Sequence, residues 1–301
     1  MTHPTKAIYR AILSDYLKKN TQDLEERLYT EVDINNSFEK IKLVDYHQEL
    51  ETKGIKFIAY NAGHVIGASM FLVEIEGVKI LYTGDYSREQ DRHLNPAEFP
   101  QCDVQILIVE STYGTQPHEP RKNREIRFTK AVSEIVERGG RCLLPVFALG
   151  RAQELILILE EYWANHPELQ AIPIYYASSL VSKCMAIFES HFNLMAAPFK
   201  KQLESGNNPF TQLKYITTLK KQKDFMDDQP AVVMTSPGML QKGFSLDLFE
   251  KWCGNEKNGV VFTGYAVEGT LAQKIINGNI KDLSASGGGK LDMKMTSSYI
   301  R

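Results

Sequence analysis

Residues 56–87 read KFIAYNAGHVIGASMFLVEIEGVKILYTGDYS and decide how the first part of this chain folds. Segments 56–61, 70–76 and 78–82 are short and rich in β-forming residues, which predicts three strands. Glu76-Gly77 predicts a hairpin turn between the last two strands. Two loops, Gly63-His64-Val65-Ile66-Gly67 and Thr83-Gly84-Asp85-Tyr86-Ser87, each follow a predicted strand. This stretch therefore predicts a β-sheet with polar side chains at the ends of two of its strands.

The segments on either side extend this prediction. The first 50 residues read as helices, because Ile8, Ile12 and Tyr16 recur at helical spacing. Residues 105–110 form a continuous apolar run, which predicts a further strand buried on both faces. The first part of the chain is thus expected to combine helices with a β-sheet.

Further along, strands, small-residue loops and helices alternate several times. Strands are predicted at 142–147, 172–176, 231–235 and 259–263, and helices at 123–138, at 152–163, from residue 180, before Trp252 and from Thr270. This alternation is typical of an α/β fold with a mostly parallel sheet flanked by helices. The polar stretch 202–228 is expected to lie between sheet elements, and 284–289 predicts a linker out of this region.

The loops after these strands are candidate binding elements. They contain Leu149-Gly150-Arg151, Ser178-Ser179, Ser236-Pro237-Gly238-Met239 and Gly264-Tyr265. In parallel sheets, ligands bind outside the carboxyl ends of the strands, where backbone N–H groups and helix N-termini favour anions. Each loop by itself could equally be an ordinary turn, since Gly and Ser are common in turns.

Composition limits the class of protein. The 301 residues are 43% apolar and 24% charged with a net charge of -2, which is ordinary for a globular protein and gives no global basic excess. The stretches 118–130 and 200–223 are rich in basic residues. A solvent-exposed charged face explains them better than a binding site for a polyanion. Four widely spaced cysteines exclude a CxxC knuckle and favour a reducing compartment. No apolar run is long enough for a membrane span, and the start carries no secretory pattern.

Three residues could take part in chemistry. His64 lies between two glycines after a strand, where the backbone can present an imidazole, although a lone histidine is more often structural. Asp85 could bridge two cations or serve only in a turn. Glu110 ends an apolar strand and needs a hydrogen-bonding partner, because burying an unpaired carboxylate is costly.

Several segments together resemble the metallo-β-lactamase/β-CASP nucleases. The segments with this resemblance are residues 1–8 (MTHPTKAI), 63–68 (GHVIGA), 84–87 (GDYS), 110–114 (ESTYG) and 236–239 (SPGM). Residues 175–180 (YYASSL) and 264–271 (GYAVEGTL) resemble the members of that family that process the 3′ ends of pre-mRNA. The resemblance covers essentially the whole chain.

The resemblance implies a partial metallo-β-lactamase αββα sandwich with an inserted β-CASP domain. It places the metallo-β-lactamase domain at 1–115, the β-CASP domain at 116–285 and a return into the first domain at 286–301. Family members carry an HxHxDH cluster and later histidine motifs, expected here upstream of Met1 and after Arg301. The chain is therefore expected to be an internal fragment.

The resemblance also implies roles for the three candidates. His64 corresponds to a zinc ligand, Asp85 to the carboxylate that bridges two Zn²⁺ ions, and Glu110 to an acid that pairs with a later histidine. The implied activity of the intact protein is cleavage of pre-mRNA before polyadenylation, in the nucleus. The implied partners are other subunits of a cleavage and polyadenylation complex, including a non-catalytic β-CASP paralogue. With two ligands for two metals, the chain by itself is expected to cleave little or nothing.

Three further residues are candidates for holding RNA. Tyr113 could stack on a base, Arg151 could bind a phosphate, and Ser236 lies in one of the carboxyl-end loops. Arg151 could instead pair with Glu154 on the helix that it opens. Two other functions stay open, namely a non-catalytic scaffold of the same complex and a small-molecule hydrolase of the β-lactamase type. The long β-CASP insertion argues against the hydrolase.

Overall fold

The computed structural model of the chain describes residues 1–19, 28–117, 119–147, 149–178, 180–206, 208–210, 212–219, 222–280 and 283–300. Ser179, in one of the predicted loops, lies outside these ranges. The chain divides into two compact units, Met1–Pro117 with Ser182–Asn208 and His118–Val181 with Pro209–Arg301. None of the helices in the described ranges has both the length and the apolar character of a membrane span.

The helices are α1 (His3–Lys19), α2 (Glu31–Lys40), α3 (Arg121–Glu137), α4 (Arg151–Asn165), α5 (Val181–Ser190), α6 (Ala197–Glu204), α7 (Phe244–Trp252) and α8 (Leu271–Ile276). The strands are β1 (Glu49–Thr52), β2 (Ile55–Asn61), β3 (Ser69–Ile75), β4 (Val78–Tyr82), β5 (Ile106–Ile108), β6 (Arg141–Pro145), β7 (Ile174–Ala177), β8 (Ile216–Leu219), β9 (Ala231–Thr235), β10 (Gly259–Phe262) and β11 (Thr296–Tyr299). This mixed α/β content confirms the predicted fold class.

The first unit contains a five-stranded sheet in the order β1-β2-β3-β4-β5. The first three pairings are antiparallel, and β4 pairs with β5 in parallel. Glu76 and Gly77 join β3 to β4 with φ values of 49° and 83°, the positive angles that a two-residue hairpin needs. The predicted hairpin is confirmed.

One prediction for this sheet is wrong. Residues 105–110 were expected to form a strand buried on both faces, yet β5 is only three residues long and lies at the edge of the sheet. Ile106, Leu107 and Ile108 are 46%, 58% and 51% exposed. The apolar run predicted the strand correctly, but burial depends on which segments cover a strand, and the run does not contain that information.

Residues 182–208 belong to the first unit although they follow its sheet by many residues. The backbone N–H of Ala196 donates to the His93 carbonyl at 2.9 Å, and Leu94 forms an antiparallel bridge with Met195. The buried His93 ring lies 5.4 Å from the ring of Phe188 on α5. Both α6 and most of α5 therefore pack with the first 117 residues.

The second unit contains a six-stranded sheet in the order β11-β10-β6-β9-β7-β8. Every neighbouring pair is parallel, which confirms the mostly parallel sheet predicted from the alternation. Both β9 and β10 are buried along their whole length, as expected of central strands covered by helices. Phe249 and Trp252 of α7 pack with Leu143, Val233 and Val260 in the core.

The end of the chain differs from the expectation. Ser284 and Lys290 form an antiparallel bridge, and Ser286 donates its N–H to Glu250 on α7 at 2.6 Å, so the predicted linker is a turn held against a helix. The following strand, β11, joins the second sheet rather than the first.

The polar stretch 202–228 contains a strand, β8, which lies at the edge of the second sheet opposite to β11. The domain bounds 1–115, 116–285 and 286–301 stay a prediction.

Candidate metal centre and carboxyl-end loops

The loop between β2 and β3 presents His64 in a conformation that few side chains adopt. Its φ is 58°, in the left-handed region, and the flanking Gly63 and Gly67 have φ values of 63° and 82°. A non-glycine residue held in this region stores backbone strain, which is typical of functional sites. A methyl group on Gly63 would lie 2.7 Å from the Ser87 carbonyl oxygen, so glycine is required there for space as well.

Distant residues hold this loop in place. The hydroxyls of Thr2 and Thr5 donate to the Gly67 carbonyl at 2.7 and 2.9 Å. The phenol of Tyr46 donates to the Ala68 carbonyl at 2.9 Å. Burial, and then the negative charge of Glu98, raises the pKa of Tyr46 above its ordinary value. The phenol therefore keeps its proton, and its hydrogen bond, throughout the physiological pH range.

Asp85 approaches His64 because their strands end at the same edge. Strand β3 runs antiparallel to both β2 and β4, so β2 and β4 run in the same direction and end on the same side of the sheet. The N–H of Ser87 donates to the Ala62 carbonyl at 2.9 Å and ties the two loops together. As a result, His64 Nε2 lies 3.9 Å from Asp85 Oδ2. The side chains are 47% and 73% exposed and open to a ligand from solvent.

Glu110 lies at the same edge of the sheet, because β5 is parallel to β4. The N–H of Thr83 donates to the Ile108 carbonyl at 3.0 Å, and the N–H of Glu110 donates to the buried Thr83 hydroxyl at 3.4 Å. Glu110 Oε2 accepts the N–H of Thr112 at 2.7 Å, which is the hydrogen-bonded neighbour that a strand-end carboxylate needs. The structure thus places Glu110 at the same end of the strands as Asp85.

The two side chains of the pair are of types that bind zinc. Zinc binds imidazole nitrogen at about 2.0–2.1 Å and carboxylate oxygen at about 2.0–2.2 Å, so two such atoms on one tetrahedral ion lie about 3.4 Å apart. The observed separation of 3.9 Å is wider, and the two atoms would have to approach by about half an ångström to share one ion. No group of three or more His, Cys, Asp or Glu side chains in the described ranges is arranged to hold a metal ion. By itself the pair is too small for a catalytic zinc, which takes three protein ligands.

Arg151 opens α4, at the carboxyl end of β6 in the second unit, and is engaged in an ion pair. Its Nη1 lies 2.6 Å from Glu154 Oε2, while Glu154 is 5% exposed and also lies 3.6 Å from Arg121 Nε. Arg121 in turn pairs with Glu125 at 2.7 Å. The pairing with Glu154 that the sequence left open is therefore formed, although the Arg151 side chain remains 31% exposed.

Ser236 and Tyr113 occupy different surroundings. Ser236 follows β9 and precedes a cis peptide bond to Pro237, and its hydroxyl lies 3.5 Å from that of Ser178, which follows β7. The loops with Arg151 and Ser236 thus share the carboxyl edge of the second sheet. Tyr113 belongs to the first unit, three residues after Glu110, in a turn closed by its carbonyl and the Gln116 N–H at 3.1 Å.

Sequence reasoning missed several residues that hold the site. Thr83 links the Asp85 and Glu110 segments, and Glu98 accepts both the Asn61 N–H at 3.0 Å and His47 Nε2 at 2.8 Å just before the His64 loop. Their partners lie far away along the chain, and no local pattern indicates such contacts. The glycines around His64 are the local signal that indicates an unusual backbone there.

Comparison with known proteins identifies two family domains in the chain. The profile of the metallo-beta-lactamase superfamily domain matches residues 1–110, and that of the Beta-Casp domain matches residues 152–275. The two profiles account for most of the chain. They agree with the partial sandwich and inserted domain expected from the sequence.

Individual relatives are similar over nearly the whole chain. The chain is 52% identical over 300 residues to cleavage and polyadenylation specificity factor 73 of Drosophila melanogaster, and 54% identical over 279 residues to cleavage and polyadenylation specificity factor subunit 3 of Dictyostelium discoideum. It is 51% identical over 279 residues to endoribonuclease YSH1 of Yarrowia lipolytica. These matches cover 100%, 92% and 92% of the chain, but only 43%, 36% and 34% of the relatives.

Proposed function

The chain belongs to the metallo-β-lactamase/β-CASP family of endoribonucleases, and from this premise we propose that the longer protein containing it cleaves pre-mRNA before polyadenylation. The proposal includes two Zn²⁺ ions as cofactors. It also divides the chain into a metallo-β-lactamase domain at 1–115, a β-CASP domain at 116–285 and a return into the first domain at 286–301. The proposed return of 286–301 into the first domain needs a test, because β11 pairs with the second sheet.

The observation that supports this proposal best is the approach of His64 Nε2 to Asp85 Oδ2 at 3.9 Å. Both side chains are exposed, and Gly63 and Gly67 fold the loop so that an imidazole stands at the strand edge. The left-handed backbone does not decide between the two functions, because Glu76 shares it in a hairpin turn. An exposed imidazole beside an exposed carboxylate does, because a scaffold protein has no need of it. The pair therefore favours a nuclease over the non-catalytic scaffold, which is the alternative function.

Each member of the pair has a defined role in the proposed site. His64 would bind one ion through Nε2, and Asp85, with two carboxylate oxygens, would bridge both ions. When bound, the ions supply Lewis-acid stabilisation of a scissile phosphodiester and lower the pKa of a water molecule. His64 and Asp85 would hold the ions at one place, because both residues follow strands that end on the same side of the sheet.

Glu110 would serve as the acid that pairs with a histidine outside this chain and helps the leaving group. Its Oε2 accepts the Thr112 N–H, which fixes the carboxylate and leaves Oε1 available. A carboxylate positioned in this way can orient an imidazole and stabilise its protonated form. Asp85 and Glu110 are therefore the proposed catalytic residues of the chain.

The proposed RNA contacts are Tyr113 in the first unit and, separately, Arg151 and Ser236 in the second unit. Arg151 can bind a phosphate only in competition with Glu154, which holds its Nη1 at 2.6 Å. Ser236 offers a hydroxyl in a loop at the carboxyl edge of a parallel sheet, where ligands bind. Tyr113 offers an aromatic ring for a base.

The names of the relatives place them in a cleavage and polyadenylation factor. We propose pre-mRNA as the substrate, the other subunits of that complex as partners, including a non-catalytic β-CASP paralogue, and the nucleus as the location. The 301-residue chain by itself would cleave little or no RNA, because the described residues supply too few ligands for two ions.

Two measurements test the proposal. In the longer protein, His64→Ala should abolish cleavage of a pre-mRNA substrate, and cleavage as fast as the parent would refute the zinc nuclease. Zinc calorimetry on the 301-residue chain should show no tight binding of two ions. Stoichiometric tight binding of two ions would contradict the proposed inactivity of the chain.

A further inference from the structure

The second sheet contains a topological switch point at its centre. Strand β6 is flanked by β10 and β9, and all three are parallel. The chain leaves β6 towards β7 on one side, and leaves β10 towards β11 on the other side. Loops that diverge in this way open a crevice at the carboxyl ends of the two strands, and such crevices bind ligands in open parallel sheets.

Phe147 lies at this position. It follows β6 by two residues, directly after Val146, whose N–H still donates to the Thr235 carbonyl at 2.8 Å. Its side chain is 44% exposed, although Val146 before it is 3% exposed. The chain therefore turns an aromatic ring outward at the switch point of the sheet, where a crevice is expected.

Two glycines, Gly238 and Gly264, lie next to this ring. A methyl group added to Gly238, after β9, would lie 3.4 Å from Phe147 Cδ2 and 3.2 Å from the Val146 carbonyl carbon. A methyl group added to Gly264, after β10, would lie 3.6 Å from Phe147 Cε2. Neither glycine has a positive φ. At Gly238 the closest atoms are those of the Val146–Phe147 backbone, and at Gly264 the ring lies at van der Waals distance. The Cδ2–Cε2 edge of the ring therefore lies against the two glycines, and 44% of the side chain stays exposed.

We propose that Phe147 is a stacking platform for a nucleobase of single-stranded RNA, which rests on the proposed function. The loop that carries Phe147 ends at Arg151, a partly exposed cation. Aromatic rings and basic side chains on one face are the usual combination for binding single-stranded nucleic acid, and Arg151 follows Phe147 by four residues at the same end of the sheet. Phenylalanine has no hydrogen-bonding group, so the platform accepts any base, and the loops of Gly238 and Gly264 hold the ring for stacking.

Binding of RNA to the 301-residue chain tests the platform. The probe is a labelled oligouridylate of about 12 nucleotides, within the usual site sizes for single strands. Stacking of one base changes the Kd roughly 5- to 150-fold, so Phe147→Ala and Phe147→Leu should weaken binding by a factor in that range. The dependence of Kd on salt should stay the same, because no phosphate contact is removed. Circular dichroism confirms that each variant is folded.

Phe147→Trp gives a direct readout. Tryptophan preserves stacking, so affinity should be kept, and its fluorescence should be quenched when a base stacks on it. The native Trp163 and Trp252 are 0% and 2% exposed, so the new ring reports separately. Phe192→Trp is the matched control, because Phe192 is 43% exposed and belongs to the first unit. It should show neither quenching nor a change in Kd.

The outcomes separate the platform from the proposed function. If the parent chain binds RNA and Phe147→Ala binds equally well, the platform is refuted while the nuclease proposal stands. If the parent chain does not bind the oligonucleotide, the platform is also refuted, and cleavage by the longer protein decides the nuclease independently. Quenching of Phe147→Trp by free uridine monophosphate, but not by the oligonucleotide, would assign the crevice to a mononucleotide and overturn the RNA platform.

Discussion

His64 Nε2 lies 3.9 Å from Asp85 Oδ2, and the two residues reach this distance from the ends of different strands. The strand between them, β3, is antiparallel to both neighbours, which sends both strand ends to one edge. Four substitutions examine this arrangement and the contacts that support the two units.

Asp85→Asn should lower cleavage by the longer protein by roughly 100-fold or more, since an amide cannot supply the negative charge that holds two cations. Stability should change little, because the Asp85 side chain is 73% exposed. Single-turnover cleavage and thermal unfolding measure the two effects. Asp45→Asn, at another exposed aspartate, should leave cleavage unchanged. Equal rates for parent and Asp85→Asn would remove Asp85 from the site.

Gly67→Ala should destabilise the first unit by roughly 2 kcal/mol or more, because it combines an unfavourable φ with a clash. Gly67 has φ 82°, and a methyl group there would lie 2.5 Å from Pro4 Cγ and 2.7 Å from Thr2 Oγ1. Urea unfolding followed by circular dichroism measures the loss.

Gly77→Ala is the matched control for this clash. Gly77 has φ 83°, almost the same angle, but nothing lies within 4 Å of an added methyl group. Its substitution should cost only the backbone strain, about 1 kcal/mol. An equal loss in the two variants would show that Thr2 and Pro4 do not fix the His64 loop.

Glu154→Ala should destabilise the second unit by roughly 2–4 kcal/mol, since it removes a nearly buried carboxylate that pairs with Arg151 and approaches Arg121. Denaturant unfolding is again the measurement. Glu134→Ala provides the comparison, because Glu134 forms an exposed pair with Lys130 at 3.7 Å. That loss should stay below about 1 kcal/mol. If Glu154→Ala and Glu134→Ala lower the free energy of unfolding by the same amount, burial does not strengthen the contacts of Glu154.

Asp227 should make stability depend on acid pH. Burial raises the pKa of its carboxyl, but hydrogen bonds from Lys251 and Trp252 and the charge of Arg141 outweigh burial and lower the pKa below the ordinary value. A lowered pKa in the folded state stabilises the protein above the unfolded pKa of about 3.9, and this stabilisation is lost as the pH falls through the folded value.

Asp227→Asn should therefore destabilise the chain at pH 7 by roughly 1–3 kcal/mol and flatten its stability profile between about pH 5 and pH 2. Unfolding midpoints at a series of pH values measure this. Asp292→Asn is the control, because Asp292 is 81% exposed and pairs only loosely with Lys294 at 3.2 Å. An unchanged acid profile in Asp227→Asn would mean that other carboxylates control the acid limit.

Local pattern predicted the elements of this fold well. The strand 231–235 was predicted with the bounds that the structure shows, and the helices α3 and α4 differ by a few residues from the predicted 123–138 and 152–163. Hydrophobic periodicity and small-residue loops are properties of neighbouring residues, so they are readable without a structure. The hairpin at Glu76-Gly77 follows for the same reason.

Contacts between distant segments could not be predicted in this way. The docking of 182–208 with the first 117 residues, the exposure of β5 and the joining of β11 to the second sheet all depend on what packs against each segment. The candidate site divides similarly. Glycines indicated that His64 is special, and helical spacing allowed the pair of Arg151 with Glu154, but the Thr83 link to Glu110 was visible only in three dimensions.

By itself, the sequence determined the α/β class, the mostly parallel direction of the strands in the second sheet and the residue types at their ends, because each depends on spacing along the chain. Only the tertiary structure decided which of these residues meet. His64 and Asp85 face each other because an antiparallel strand lies between their own strands, and Phe147 rests on two glycines because β10 and β9 flank β6. Strand order is a property of the folded sheet, since many residues far apart in the chain must pair to create it.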